Sequence, residues 1–310
     1  MRKKVFIDGS AGTTGLRIRE RLTARDDLEL MMLEEDRRKD PSARADAANA
    51  ADVVFLCLPD DAARESAGLV KNENTVIIDT STAHRVSEGW TYGFPEAGNR
   101  RSQIISSKRI ANPGCHASGF IALVLPLVHS GIIAPDTVLS CFSLTGYSGG
   151  GKKMIAEYEG PHSQLLDAPR MYGLSQVHKH LPEMKIISGL NSEPVFCPIV
   201  APFYSGMEVT VTLDKSMTRA KKAEIEDVYS QYYRNGLVRF EKDADESGFV
   251  SAAAFSGRDD MQISVYGNDE RMLLVSRFDN LGKGASGAAI QNMNLVLGCE
   301  ETAGLVISAS

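Results

Sequence analysis

The stretch "KVFIDGSAGTTG" (residues 4–15) decides the fold. "KVFID" (4–8) is a short apolar run that Gly9 ends, the mark of a buried strand. Gly9, Gly12 and Gly15 then stand as GxxGxxG before a segment of helical spacing. The first glycine permits a tight turn, the second lets backbone approach a phosphate, and the third allows a helix to pack on a strand. A helix that starts there turns its first N–H groups toward an anion. The spacing differs from GxGxxG, so the motif gains its meaning from its place between a strand and a helix.

The same alternation continues outward. "TGLRIRERL" (14–22) reads as a weakly amphipathic helix, "LELMML" (28–33) as a second strand and "DVVFLCLP" (52–59) as a third, apolar on both faces. "DAARESAGLV" (61–70) reads as a helix and "TVIID" (75–79) as a fourth strand. Strand–helix alternation predicts a Rossmann-type, doubly wound parallel sheet, with ligands at the carboxyl ends of its strands. The run "LEEDRRKD" (33–40) follows the second strand. Glu34 and Glu35 suit a ribose 2′-hydroxyl, whereas Arg37, Arg38 and Lys39 suit a 2′-phosphate, and the close basic residues favour NADP.

Further along, "ANPGCHASGF" (111–120) sets Cys115 behind Asn-Pro-Gly and ahead of the apolar run "FIALVLPLV". A cysteine at such a helix start gains thiolate character from the helix dipole and the unpaired N–H groups. "TVLSCFSLTGYSGGGKKM" (137–154) is a strand running into glycines. Gly146 to Lys152 fits G-x-x-x-x-G-K, but Lys153 stands where a nucleotide hydrolase needs Ser or Thr, so the loop is expected at most to offer backbone N–H groups to a phosphate. In "QVHKHLPEM" (176–184), His178 and His180 would share one face of an extended segment; one of them suits proton transfer to Cys115. The remainder reads as an α+β domain. "MEVTVTL" (207–213) alternates as a strand, 218–236 is a helix capped by Thr218 and stopped by Gly236, "RMLLVSRFD" (271–279) is a strand, and 280–298 is a helix returning to the first domain.

The 310 residues carry a net charge of −6 and are 43% hydrophobic, which suits about two domains and argues against a nucleic-acid binder. The opening "MRKKVFIDGSAG" has too short an apolar stretch for a secretory signal, and no run approaches the length of a membrane span. The five cysteines (57, 115, 141, 197 and 299) form no CxxC, so neither a disulfide framework nor a metal site is expected, and the location expected is cytoplasmic.

Taken in order, "GSAGTTG", "DTSTAHR" (79–85), "YGFPE" (92–96), "NPGC" (112–115), "SGGGK" (148–152), "HKHLPE" (178–183) and "KGASGAAIQNMN" (283–294) make the chain resemble the shorter form of the N-acetyl-γ-glutamyl-phosphate reductases over nearly its whole length. The resemblance implies an NADP-binding Rossmann domain over 1–114, completed by 282–310, and an α+β catalytic and dimerisation domain over 115–281. It implies NADPH-dependent reduction of an acyl phosphate to a semialdehyde in arginine biosynthesis, through a thioester on Cys115, with His178 as acid/base partner. Asn112, His180 and Tyr172 become supporting residues, and Arg85, Ser148 and Gly149 substrate contacts. Cofactor contacts fall on Gly9, Ser10, Gly12, Thr13, Thr14, Gly15, Arg37, Arg38, Ser81, Lys283, Gly284 and Asn292. A homo-oligomer is expected, with no membrane or nucleic-acid partner. His116-Ala117-Ser118 departs from the Tyr-Pro-Thr usual after this cysteine, which makes His116 a candidate for tuning the thiolate. The alternatives are aspartate-semialdehyde dehydrogenase-like chemistry and a non-catalytic NADP sensor.

Overall fold

A computed structural model describes residues 2–307, which divide into two compact units. The first comprises the chain up to Pro95 together with Asn99–Pro113 and Ala285–Leu305. It is built in chain order from β1 (Lys3–Asp8), α1 (Thr13–Thr23), β2 (Leu28–Met31), α2 (Pro41–Ala50), β3 (Val53–Leu56), α3 (Asp60–Leu69), β4 (Val76–Asp79), β5 (Thr91–Tyr92), α4 (Arg100–Ser106) and β6 (Arg109–Ala111). The strands form one parallel sheet in the order β2-β1-β3-β4-β6-β5.

Alternate residues of the central strands feed two separate cores, as the period of a strand requires. Val5, Ile7, Val53, Phe55 and Ile78 pack with Ile18 and Leu22 of α1, Ile104 of α4 and Ile290 and Met293 near the C-terminus. Phe6, Val54, Leu56 and Ile77 pack with Ala47 and Ala48 of α2 and Ala63 and Ala67 of α3. Helices on both faces make the sheet doubly wound, and burial on both sides is why β3 and β4 read as unbroken apolar runs.

Helix α2 fills the gap that the sequence leaves unassigned between the charge run 33–40 and the strand at 52–59. Its buried face is Ala43, Ala47 and Ala48, too small to raise an apolar period. Asp40 caps it by accepting from the Ser42 N–H at 2.9 Å, and Pro41 fills the first turn.

The second unit comprises Glu96–Gly98, Gly114–Gly284 and, of the described residues beyond Leu305, Val306 and Ile307. Its helices are α5 (Cys115–His129), α6 (Gly151–Glu159), α7 (Leu181–Ser188) and α8 (Lys222–Tyr232). Its strands are β7 (Ser140–Gly146), β8 (Arg170–Met171), β9 (Val195–Ala201), β10 (Met207–Asp214), β11 (Val238–Phe240), β12 (Met261–Asn268) and β13 (Arg271–Phe278), in the mixed order β11-β12-β13-β10-β7-β9-β8.

Helix α5 lies on this sheet because Gly119 has no side chain. A Cβ there would stand 2.5 Å from Val209 and 2.7 Å from the Ser276 hydroxyl. Pro126 inside α5 has no N–H, which leaves the carbonyl of Ala122 without its helical donor. The Tyr233 hydroxyl donates to that carbonyl at 2.7 Å, and Tyr229 of α8 donates to the carbonyl of Leu123 at 2.5 Å.

Several sequence expectations move. The helix expected over 218–236 is α8, shorter at both ends. Its N-cap is Lys221, whose N–H donates to the Glu224 carboxylate at 2.7 Å, and Thr218 instead donates to the carbonyl of Ile132 at 2.9 Å. The segment 280–298 is not one α-helix: a π-helical turn, Gly282–Ser286, precedes α9 (Gly287–Leu297). Glu96 and Lys283 lie in the second unit, where they form an ion pair at 2.8 Å with both side chains buried. The contact boundaries therefore fall at Gly284 and Ala285 and include an excursion at residues 96–98, in place of the expected cut at 281/282.

Candidate active site

Cys115 is the first residue of α5, half-buried, with Gly114 at the N-cap in extended backbone conformation. Pro113 and Gly114 stop the preceding chain, and the apolar run then propagates the helix. The Gly114 N–H donates to the Glu183 carboxylate at 3.1 Å. Glu183 is 1% exposed and lies in the first turn of α7. A Cβ on Gly284 would stand 2.9 Å from the Cys115 Cβ. Gly284, expected to contact cofactor, thus packs against the cysteine of its own unit.

The two histidines do not sit on an extended strand. Residues 176–180 form a turn that leads into α7, with His180 at the helix N-cap. Gln176, at φ +54°, holds this turn: its side-chain amide donates to the Phe196 carbonyl at 2.7 Å and accepts from the Phe196 N–H at 2.9 Å. The His178 and His180 rings stand 4.8 Å apart. The His180 N–H donates to Nδ1 of His178 at 3.3 Å, so whenever the His178 ring is neutral its proton lies on Nε2. His180 is buried, with Nε2 3.9 Å from Glu183.

His116 joins the group. It is 3% exposed, and its ring lies 5.9 Å from that of His178, 5.4 Å from His180 and 5.3 Å from Phe196. Its Nδ1 lies 2.6 Å from the Ser143 hydroxyl and its Nε2 2.7 Å from the Tyr172 hydroxyl. Burial, and then the positive charge of His178 and Lys179, pushes its pKa down to about 3. Burial raises the Tyr172 phenol, and negative charge on Cys115 raises it further, which places Tyr172 in electrostatic reach of the sulfur.

A buried neutral histidine has a measurable consequence. In the unfolded chain the His116 imidazole titrates near 6.5, whereas in the fold it stays neutral to about 3. Between those values the unfolded state binds more protons. Stability is therefore lost as the pH falls from about 6.5 toward 3, by at most about 1.4 kcal/mol per pH unit from this group. Urea unfolding midpoints of the wild type and His116→Gln across that range should converge as the pH falls. Parallel curves would show that His116 titrates normally.

Other expected contacts have other duties. The amide of Asn112 donates to the Ala285 carbonyl at 3.0 Å and accepts from Asn292 at 3.3 Å. These bonds brace its own unit. Asn292 also donates to the Gly93 carbonyl at 2.8 Å. The Ser81 hydroxyl is spent on buried Asp79 at 2.8 Å, and the Lys283 ammonium on Glu96. Arg85 donates to the carbonyls of Asn112 at 3.0 Å and Thr80 at 3.4 Å. Ser148 is buried and accepts from Asn280 at 3.0 Å; Gly149 is exposed. The glycine loop offers less than expected, because the N–H groups of Gly146, Tyr147 and Ser148 donate to the carbonyls of Gly206, Phe203 and Tyr204.

In the first unit, a cavity of about 650 Å³ opens at the carboxyl ends of β1 and β2. Gly9, Ser10 and Ala11 line it, with Met32 and Leu33, Glu35 and Asp36, and Arg38, Lys39 and Arg44. Arg37 is not among the lining residues. Gly9 sits at φ +88°, and a Cβ there would lie 2.3 Å from the Cys57 carbonyl oxygen. A Cβ on Gly15 would lie 2.6 Å from the carbonyl oxygen of Gly9, so both glycines are required by the turn itself. Gly12 is the N-cap of α1, with Thr13 and Thr14 in the first turn. Arg44, which no sequence signal marked, donates to Asp8 at 2.9 Å, and Ser66 donates to the same carboxylate at 2.6 Å.

Residues 4–105 match the family profile described as semialdehyde dehydrogenase, NAD binding domain, and residues 115–280 match that for the semialdehyde dehydrogenase dimerisation domain. An N-acetyl-gamma-glutamyl-phosphate reductase of Chelativorans sp. is 46% identical, over 96% of this chain and 99% of its own length. The chain belongs to the N-acetyl-γ-glutamyl-phosphate reductase family. A second reductase of that name, from Nostoc sp., is 44% identical over 97% of the chain and 99% of its own length. Aspartate semialdehyde dehydrogenase II of Vibrio cholerae shares the fold at a TM-score of 0.73 and 18% identity, covering 96% of this chain and 99% of that one. By family the chain is thus an oxidoreductase of the phosphorylating aldehyde dehydrogenase kind, with a nicotinamide dinucleotide-binding domain.

Proposed function

We propose that the protein reduces N-acetyl-γ-glutamyl phosphate to the corresponding semialdehyde with NADPH, releasing phosphate, as a step of arginine biosynthesis. The observation that carries this is Cys115 at the first position of α5, next to His116, whose ring lies 5.9 Å from that of His178, in a chain 46% identical to a reductase of that name. Cys115 attacks the acyl carbon, the C–O bond to phosphate breaks, and the acyl group remains on sulfur as a thioester. Covalent capture divides one hard displacement into two easier steps. The N–H groups of the first turn of α5 offer donors to the oxyanion of each tetrahedral intermediate. His178, as acid/base partner, stabilises the thiolate, gives a proton to the carbonyl oxygen as the thioester is reduced, and takes it back as the C–S bond of the hemithioacetal breaks and the thiolate leaves. NADPH, when bound, supplies the hydride that takes the thioester to the aldehyde level. The test is NADPH oxidation that requires the acyl phosphate, and phosphate- or arsenate-dependent NADP reduction by the semialdehyde in reverse. Equal rates with β-aspartyl phosphate would instead favour the aspartate-semialdehyde dehydrogenase reading.

The residues of the first unit fit the cofactor. The glycine turn and the N-terminus of α1 suit its pyrophosphate, Met32 and Leu33 its adenine, and Arg38 and Lys39 a 2′-phosphate. Replacing Arg38 and Lys39 together by Ala is expected to raise KM for NADPH by about 10- to 100-fold, as befits one or two charge-assisted hydrogen bonds. KM for NADH should change little, and Arg37→Ala should leave both near wild type. Equal losses for both cofactors would make the basic run a solvated surface.

A homo-oligomer is part of this reading. The match to a dimerisation domain supports it, and so does the outer face of the second sheet. There Phe142 and Leu273 are exposed at 44% each, on either side of the threonines Thr210 and Thr212. The cytoplasm, where thiols stay reduced, suits a working Cys115.

A further inference from the structure

The geometry points to a relay in which Ser143 fixes the tautomer of His116, and His116 in turn directs the Tyr172 hydroxyl proton toward Cys115. It rests on the reading of Cys115 as nucleophile and adds two positioning residues, Ser143 and His116, and one donor, Tyr172.

Ser143 is 0% exposed, and its hydroxyl has a single hydrogen-bond partner among the described residues, Nδ1 of His116 at 2.6 Å. A buried hydroxyl whose proton meets no acceptor is costly. That proton has one place to go, so Ser143 donates and Nδ1 accepts. His116 remains neutral through the whole working pH range, because burial depresses its pKa so far. A neutral imidazole has one N–H, and with Nδ1 accepting it must lie on Nε2. Nε2 is 2.7 Å from the Tyr172 oxygen, which therefore accepts. The phenol proton then turns away from His116, and Cys115, the residue beside His116 at the start of α5, is the group whose thiolate it can serve. The opposite tautomer would satisfy the Tyr172 proton but strand that of Ser143 in the closed interior. Tyr172 is only half-buried, so the relay leaves the open donor where a ligand or a thiolate can take it. The stretch Cys115-His116 thus sets the nucleophile and the orienting ring on consecutive residues of one helix start.

The relay is tested on the full-length protein without substrate or cofactor. Histidine labelled with ¹⁵N reports the tautomer by NMR, and loss of the signal in His116→Gln assigns it. Nε2–H from pH 5 to 9 is expected; Nδ1–H overturns the relay. Alkylation of Cys115 by iodoacetamide, followed on its own peptide by mass spectrometry, reports the thiolate. Tyr172→Phe is expected to raise the pH midpoint by about one to two units, the worth of one charge-assisted hydrogen bond. Ser143→Ala is expected to mix the tautomers and move the midpoint part of that distance, and Ser143→Thr, which keeps the hydroxyl, to restore it. A Ser143→Ala protein with unchanged tautomer and midpoint refutes the role of Ser143. Should that variant fail to fold, the wild-type tautomer and the Tyr172→Phe midpoint decide the matter. Neither readout needs turnover. An intact relay in a chain without acyl-phosphate-dependent NADPH oxidation refutes the reductase reading alone, and a working reductase with Nδ1–H refutes the relay alone.

Discussion

Cys115→Ser is expected to lower turnover on the order of 10⁴-fold or more while NADPH still binds with near wild-type affinity. Removing a nucleophile removes the covalent route altogether, and residual rates come from binding and oxyanion donors alone. A serine hydroxyl at the same position keeps the shape but ionises far too weakly to replace a thiolate, and α5's dipole cannot close that gap. Cofactor binding should persist because the cavity at the glycine turn is built wholly from residues of the other unit. The measurement is a pair: steady-state turnover, and NADPH titration by fluorescence. A variant that keeps more than about a tenth of the rate would remove the thioester mechanism. One that loses NADPH binding would show Cys115 to be structural. Acid-quenched enzyme should also retain labelled acyl group on Cys115 in the wild type and not in the variant.

Much of the first unit is legible in the sequence because strands buried on both faces are continuous apolar runs, and β1, β3 and β4 are such strands. Helix α2 is not legible, since three alanines bury its face and carry no period. Short strands such as β5 and β8, two residues each, hold too few side chains to show alternation. In the site, Cys115 and His178 were visible because their flanks are punctuated by Pro113-Gly114 and by Pro182. The partners that hold them were not. Glu183 meets the Gly114 N–H across 69 residues, Ser143 meets His116 across 27, and Gln176 grips Phe196 across 20. Such pairings are set by how α5 and α7 pack on the sheet, and no local pattern encodes them. The run Arg37-Arg38-Lys39 shows the opposite limit. Composition marks only a basic run, and the fold alone shows that Arg38 and Lys39 line the cavity and that Arg44 joins them from α2.

The two histidines separate by what each already touches. His178 accepts the His180 N–H at Nδ1, and its ring is half-buried beside His116, Tyr172 and Phe196. His180 is 4% exposed, caps α7 and sits 3.9 Å from buried Glu183. His178→Asn should therefore lower kcat by roughly 10²–10⁴-fold, the usual worth of a positioned proton donor. It should also slow alkylation of Cys115 near neutral pH, because the thiolate loses its neighbour. His180→Asn should act mainly through KM, since it loosens the start of α7 and with it the Glu183 carboxylate that holds the Gly114 N–H. Paired pH–rate profiles, with iodoacetamide rates measured alongside, separate the two. The His178 profile should lose one limb, whereas the His180 profile should keep both limbs at a raised KM. If the His180 variant loses kcat and thiol reactivity while the His178 variant retains them, the roles are reversed, and the proton passes through the ring next to Glu183.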